Sequence, residues 1–204
     1  MKSKAVWISC ILTALFCGRS ANAKVIITLD QMGPNVVATS SGMVDLTDLK
    51  PRGQVRCSPT RFATCAAPEI DPSRAFLVLS TLVDFYGSVS GPTSFGSGGL
   101  EQASTLTGDG AGIRGIFNGI VVNEIIVPSG YVSDTPIFGT ATWDNTTIAA
   151  LGADVGTFTW TWGTGAHVDS LRLIVTPEPG TLCLLGTSAI GIAGMAGRKF
   201  KLGN

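Results

Sequence analysis

The chain has 204 residues, with 14 basic and 14 acidic side chains, one histidine and 26 glycines, so it is formally neutral as a whole. The length suits one ordinary domain and argues against two once the apolar ends are set aside. Residues 24–176 hold eight basic and thirteen acidic side chains, and their net charge near −5 argues against a polyanion partner such as nucleic acid, which lysines and arginines must neutralise.

At the start, Lys2 and Lys4 precede an uncharged run from Ala5 to Gly18, followed by Arg19-Ser20-Ala21-Asn22-Ala23. This is the order of a secretory signal peptide: a basic region, an apolar region and a small-residue cleavage site. The apolar run is shorter than the roughly 20 residues a spanning helix needs. Ala21 and Ala23 suit signal peptidase, so residues 1–23 are expected to leave after Ala23. A lipoprotein would need a small residue before its modified cysteine, and Phe16 precedes Cys17 instead.

From 24 to 176, short β-rich runs alternate with Gly, Pro, Ser, Asn and Asp, and helical periodicity is almost absent. The expected fold is all-β, a single antiparallel β-sandwich or jelly-roll-like domain. Candidate strands are Val25–Leu29, Val36–Ser40, Ala75–Leu79, Leu82–Tyr86, Ile113–Phe117, Ile120–Val127, Ile137–Trp143, Thr157–Trp162 and Ser170–Val175. In Thr157–Trp162 a period of two puts Phe158, Trp160 and Trp162 on one face and three threonines on the other. One short helix is expected, with Asn145 or Thr146 as N-cap, Ile148 and Leu151 on one face and Gly152 as its stop. The glycine-rich segments Gly91–Gly99 and Thr107–Gly112 read as surface loops. Neither precedes a helix, as a phosphate-binding loop must.

Cys57 and Cys65 are the only cysteines in this span. An even pair outside the cytoplasm suggests a disulfide closing Ser58–Thr64, worth about 2–3 kcal/mol in the chain-entropy picture, with two free thiols as the alternative. A metal site would need two further ligands, and the single histidine is distant in sequence. No metal site or cofactor is expected. That histidine, His167, stands beside Asp169 and Ser170, but neighbours on one strand cannot assemble a catalytic triad. His167 and Asp169 point to one face and Ser170 to the other. The expected role of His167 is to cap or bond the turn into the last strand. The aspartates are scattered without the spacing of a calcium loop. No acid, base and nucleophile converge in the sequence, and no enzyme is expected.

The chain ends in Pro177-Glu178-Pro179-Gly180, an uncharged stretch Thr181–Gly197, then Arg198, Lys199, Phe200 and Lys201. The stretch of 17 residues is at the lower limit for a spanning helix, and the basic residues after it favour a cytoplasmic C-terminus. This arrangement resembles the PEP-CTERM sorting signal of Gram-negative bacteria, with Pro177, Glu178 and Pro179 as sorting motif and Arg198, Lys199 and Lys201 as the basic stop-transfer end. An ordinary C-terminal membrane anchor is the alternative. The segments Gly91–Gly96, Pro128–Ser133, Gly139–Asn145 and Thr159–Gly163 resemble a recurrent group of small PEP-CTERM exported proteins over most of residues 35–175.

The resemblance implies that exosortase processes the tail near Pro177-Glu178-Pro179, after transient residence in the membrane. It also implies a cell-surface or matrix location in the company of exopolysaccharide and biofilm. The expected organisation is a leader at 1–23, an exported domain at 24–176 and a sorting signal at 177–204. The expected function is a non-enzymatic exported surface or extracellular-matrix protein, with signal peptidase and exosortase as partners. The alternative is a carbohydrate-binding module, in which Tyr86, Tyr131 or a tryptophan stacks on sugar rings. Against that alternative stands the use of Trp143, Trp160 and Trp162 as core.

Overall fold

The computed structural model describes residues 25–55 and 68–176. The leader with Ala21 and Ala23, the Cys57–Cys65 pair, the Pro177-Glu178-Pro179 motif, the apolar stretch 181–197 and the basic end at Arg198, Lys199 and Lys201 lie outside the described residues. Among the described residues, no helix is long and apolar enough to cross a membrane.

Two sheets form the described structure. The six-stranded sheet contains β1 (Val25–Met32), β2 (Asn35–Gly42), β8 (Thr105–Asp109), β11 (Ile137–Trp143), β12 (Gly156–Trp162) and β13 (Asp169–Val175), in the order β12-β13-β1-β2-β11-β8. The seven-stranded sheet contains β3 (Lys50–Val55), β4 (Glu69–Asp71), β5 (Phe76–Val78), β6 (Val83–Gly87), β7 (Glu101–Gln102), β9 (Gly112–Phe117) and β10 (Ile120–Pro128), in the order β3-β6-β10-β9-β5-β4-β7. Their inner faces share one apolar core, in which Ile27, Leu29, Trp160, Leu171 and Leu173 of the first sheet join Ile70, Leu77, Ile113 and Ile125 of the second. Period-two patterning produces this directly. Along β11 the odd positions Ile137, Gly139, Ala141 and Trp143 are buried, and the residues between them are half-buried or exposed.

Each of the nine strands read from the sequence is present. Four more were not read: β3, β4, β7 and β8. The sequence Lys50-Pro51-Arg52-Gly53 hides β3, because an edge strand tolerates proline and need not alternate. The expectation of an all-antiparallel sheet needs one correction. β1 and β13 pair in parallel, with Val25 opposite Leu171 and Leu29 opposite Val175. They are the first and last strands, so the whole domain connects them and no hairpin imposes the antiparallel sense.

Three local expectations also change. Residues 145–152 form turns rather than a helix. Thr147 is the residue that caps them, its Oγ1 accepting from the Ala150 N–H at 3.0 Å, while Ile148 and Leu151 are buried as a pair. The segment Thr107–Gly112 is not a surface loop, because it contains the end of β8, a buried connection at Gly110 and Ala111, and the start of β9. Residues 90–98 do form a loop, but it is packed along the edge of β12. Ser90 and Thr161 exchange backbone hydrogen bonds of 2.9 and 2.8 Å, and Ser97 and Gly98 both donate to the Gly152 carbonyl. Phe95 is buried against Phe158, with ring centroids 6.0 Å apart.

The glycines make this approach possible. A Cβ on Gly98 would lie 1.8 Å from the Leu151 carbonyl oxygen, and one on Gly91 would lie 2.2 Å from the Trp160 ring.

Candidate functional site

β12 leaves the core at Trp162, turns through a single 3-10 turn at Gly165–His167, and returns as β13 at Asp169. The connection between β2 and β3 meets this turn and supplies Asp45 and Asp48. Asp45 is the centre of the polar cluster that results. Its carboxylate lies 2.9 Å from His167 Nδ1 and accepts from the Thr47 N–H at 2.9 Å. Its own N–H donates to Asp169 at 2.8 Å, and its carbonyl accepts from Trp162 Nε1 at 2.9 Å. Asp169 also accepts from the Ser170 N–H.

Asp45 and Asp169 are buried, whereas His167 stands half-exposed on the rim. Hydrogen bonds from Thr47, the side-chain bond first, hold the Asp45 carboxyl well below its ordinary range against the opposing effect of burial, and His167 adds to the lowering. The His167 imidazole is shifted up from its ordinary value, chiefly by its hydrogen bond to Asp45, with the Asp45, Asp48 and Asp134 charges contributing. The cluster can therefore hold a protonated imidazole over a fixed carboxylate. His167 does bond the turn into β13, as expected, but through Asp45, which is 122 positions away in sequence.

Beside this cluster lies an open cleft of about 490 Å³, with Asp48, Ser88, Ser90, Thr161, Trp162 and Thr164 in its wall. Asp48 accepts from both the Thr164 N–H, at 2.8 Å, and the Thr164 hydroxyl, at 2.9 Å. Ser88 has φ +77°, which a serine adopts only when its surroundings impose it. A smaller depression of about 310 Å³ lies across the molecule near Glu101, Gln102 and Trp143.

The cleft and the end of the described chain occupy opposite poles. Asp169 opens β13 at the cleft, and Val175 closes it six residues on, a run of about 20 Å. At the far pole the Thr176 N–H donates to the Leu29 carbonyl at 3.1 Å, and its hydroxyl donates to Asp30 at 2.7 Å.

Among the described residues, the tryptophans and tyrosines form no exposed platform. Trp143, Trp160 and Trp162 are buried in the core. Tyr86 is half-buried, and the Tyr131 hydroxyl donates to the Thr135 carbonyl at 2.6 Å and accepts from the Val44 N–H at 2.9 Å. Glu124 is buried and bound to Arg114, whose guanidinium lies over the Phe85 ring at 3.9 Å and the Phe117 ring at 4.4 Å. Among the described residues, no group of three or more His, Cys, Asp or Glu side chains is placed to hold a metal ion. The sequence reading missed the roles of Asp45, Asp48 and Asp169, for which scattered single aspartates offered no local signal.

No curated protein and no solved structure matches the chain. Residues 175–199 match the family model described as the PEP-CTERM protein-sorting motif. The match begins on the last residue of β13, so the fold runs into the signal without a spacer. The chain carries a PEP-CTERM sorting signal, the mark of an exported protein processed by exosortase.

Proposed function

We propose that the chain is a non-enzymatic component of the cell surface or extracellular matrix, exported through the leader at 1–23 and processed by exosortase near Pro177-Glu178-Pro179. The observation that carries this reading is the sorting motif directly abutting the last strand of a folded β domain. In the precursor, the apolar stretch 181–197 crosses the membrane and Arg198, Lys199 and Lys201 remain cytoplasmic. The domain at 24–176 is then held outside by its Thr176 pole, with the cleft facing away from the bilayer. Signal peptidase and exosortase act on it in turn, and the membrane is a transient partner. Location in an exopolysaccharide or biofilm matrix is part of the same proposal.

Mass spectrometry of secreted and membrane fractions tests the processing. A C-terminal peptide ending near Pro177 in the secreted fraction, absent without exosortase, is the expected result. Intact tail persisting in membranes, with no such peptide, overturns it.

A second reading, binding of carbohydrate, is favoured by the hydroxyl-lined cleft. Stacking on tryptophan is no part of it, because the three tryptophans of the domain fill the core.

A further inference from the structure

Building on the carbohydrate reading, we propose that the cleft at the head of β12 takes a segment of an uncharged glycan chain. It is held by hydrogen bonds to Asp48, Ser88, Ser90, Thr161 and Thr164 rather than by ring stacking. The volume, about 490 Å³, falls among ordinary small-ligand sites, which span about 300–1,000 Å³.

The wall chemistry selects the ligand. The hydroxyls of Ser88, Ser90 and Thr161 can each donate and accept, that of Thr164, whose proton goes to Asp48, can accept, and the Asp48 carboxylate offers about four acceptor positions. Thr164 uses two of these through its N–H and hydroxyl, which fixes the direction of the carboxylate and leaves acceptor capacity for ligand hydroxyls. No basic side chain is in the wall; Lys50 and Arg52 of β3 flank Gly87, next to Ser88, but neither lines the cleft, and His167 is committed to Asp45. An anionic ligand would meet Asp48 without a counter-charge in the wall. An apolar ligand would strip water from five polar groups and replace none of those bonds. A neutral polyhydroxylated molecule is the class that satisfies the wall.

β12 extends the site along a line. Thr161 lies in the cleft, and Thr159 and Thr157 follow at every second position, exposed on the same side and about 6.8 Å apart. A linear chain seated in the cleft would continue over this ladder. Ser88, whose φ is +77°, is part of the same wall, and strain of that kind persists where the surroundings over-determine it.

The test is affinity electrophoresis of the full chain in detergent, through gels containing dextran, a mixed-linkage β-glucan or alginate. Retardation by at least one neutral polymer and none by alginate is expected. Asp48→Asn should weaken retention about tenfold and Thr161→Val about threefold, the sizes expected for a charged and a neutral hydrogen bond. Asp154→Asn, at the opposite end of β12, should leave retention unchanged, and Thr161→Ser, which keeps the hydroxyl, should retain more strongly than Thr161→Val. Unfolding midpoints verify that each variant folds, and Ser90→Ala replaces Asp48→Asn if the latter does not. Neutral-glycan retention that all cleft variants leave unchanged overturns the cleft assignment but not the carbohydrate reading. Retention by alginate alone overturns the uncharged class. No retention on any polymer overturns this inference and the carbohydrate reading together, and leaves export and sorting untouched.

Discussion

Two tryptophans two residues apart on β12 are held in place by different physics. Trp160 is fully buried under the 90–98 loop, where backbone approaches so closely that Gly91 and Gly98 have no room for a side chain. Its one polar atom, Nε1, donates to the Pro92 carbonyl at 2.9 Å. Trp162 is buried too, but its Nε1 donates to Asp45, and the surroundings of Asp45 are carboxylates, an imidazole and hydroxyls. The seam around Trp160 is limited by shape and the pole around Trp162 by hydrogen bonding. The rigid part of the domain and its open, polar part therefore share one strand. A close-packed seam tolerates no added atom, whereas a polar pole can keep a cleft open, because its groups are satisfied with or without a ligand.

Substitutions can break or sharpen this contrast. The largest effect is expected from Trp160→Ala, which should cost about 3–5 kcal/mol through lost burial and the cavity left behind, measured by denaturant unfolding. A cost below about 2 kcal/mol would mean that the seam collapses and is not shape-limited. Next comes Gly98→Ala, expected to cost about 2–3 kcal/mol, because the obstacle to the new Cβ is a backbone carbonyl that no rotamer change can move.

Asp45→Asn should cost less, about 1–2 kcal/mol, since the amide oxygen still accepts from Thr47 while the pairing with His167 weakens. If it costs as much as Trp160→Ala, the polar pole is a structural keystone and the contrast fails.

The smallest effect is expected from His167→Gln, and it should appear as a change in pH dependence. His167 is shifted up in the folded chain, so its contribution is fully present below the unfolded value of 6.5 and fades as pH rises through the folded one. Asp45 is shifted down, so its contribution is present above the unfolded value of 3.8 and fades as pH falls through the folded one. Unfolding midpoints of the wild type should therefore decline from slightly acid to mildly alkaline pH, and His167→Gln should flatten that slope. An unchanged slope would separate His167 from Asp45.

Legibility followed burial. Phe158, Trp160 and Trp162 alternate with threonines, and the structure buries that face as the period of two requires. Ile148 and Leu151 were readable as an inward pair, although the backbone between them is a set of turns. β3 and β8 were not readable, since both are edge strands and neither must present an apolar face. The glycines of 91–99 were visible as a loop, but their packing against Trp160 and Leu151 was not. Glycine looks the same in a sequence whether it serves a turn or a close approach.

By itself, the sequence determined the all-β class, the presence of nine strands, the inward face of Thr157–Trp162 and the sorting motif at the tail. All of these rest on patterns that repeat over a few residues. Only the tertiary structure decided that β1 and β13 lie parallel, that the 90–98 loop closes the edge of β12, and that Asp45, His167 and Asp169 meet beside a hydroxyl-lined cleft. Those contacts join residues more than 120 positions apart in the Asp45 cluster, and nothing in the local chemistry of a lone aspartate specifies which distant partner folding will bring to it.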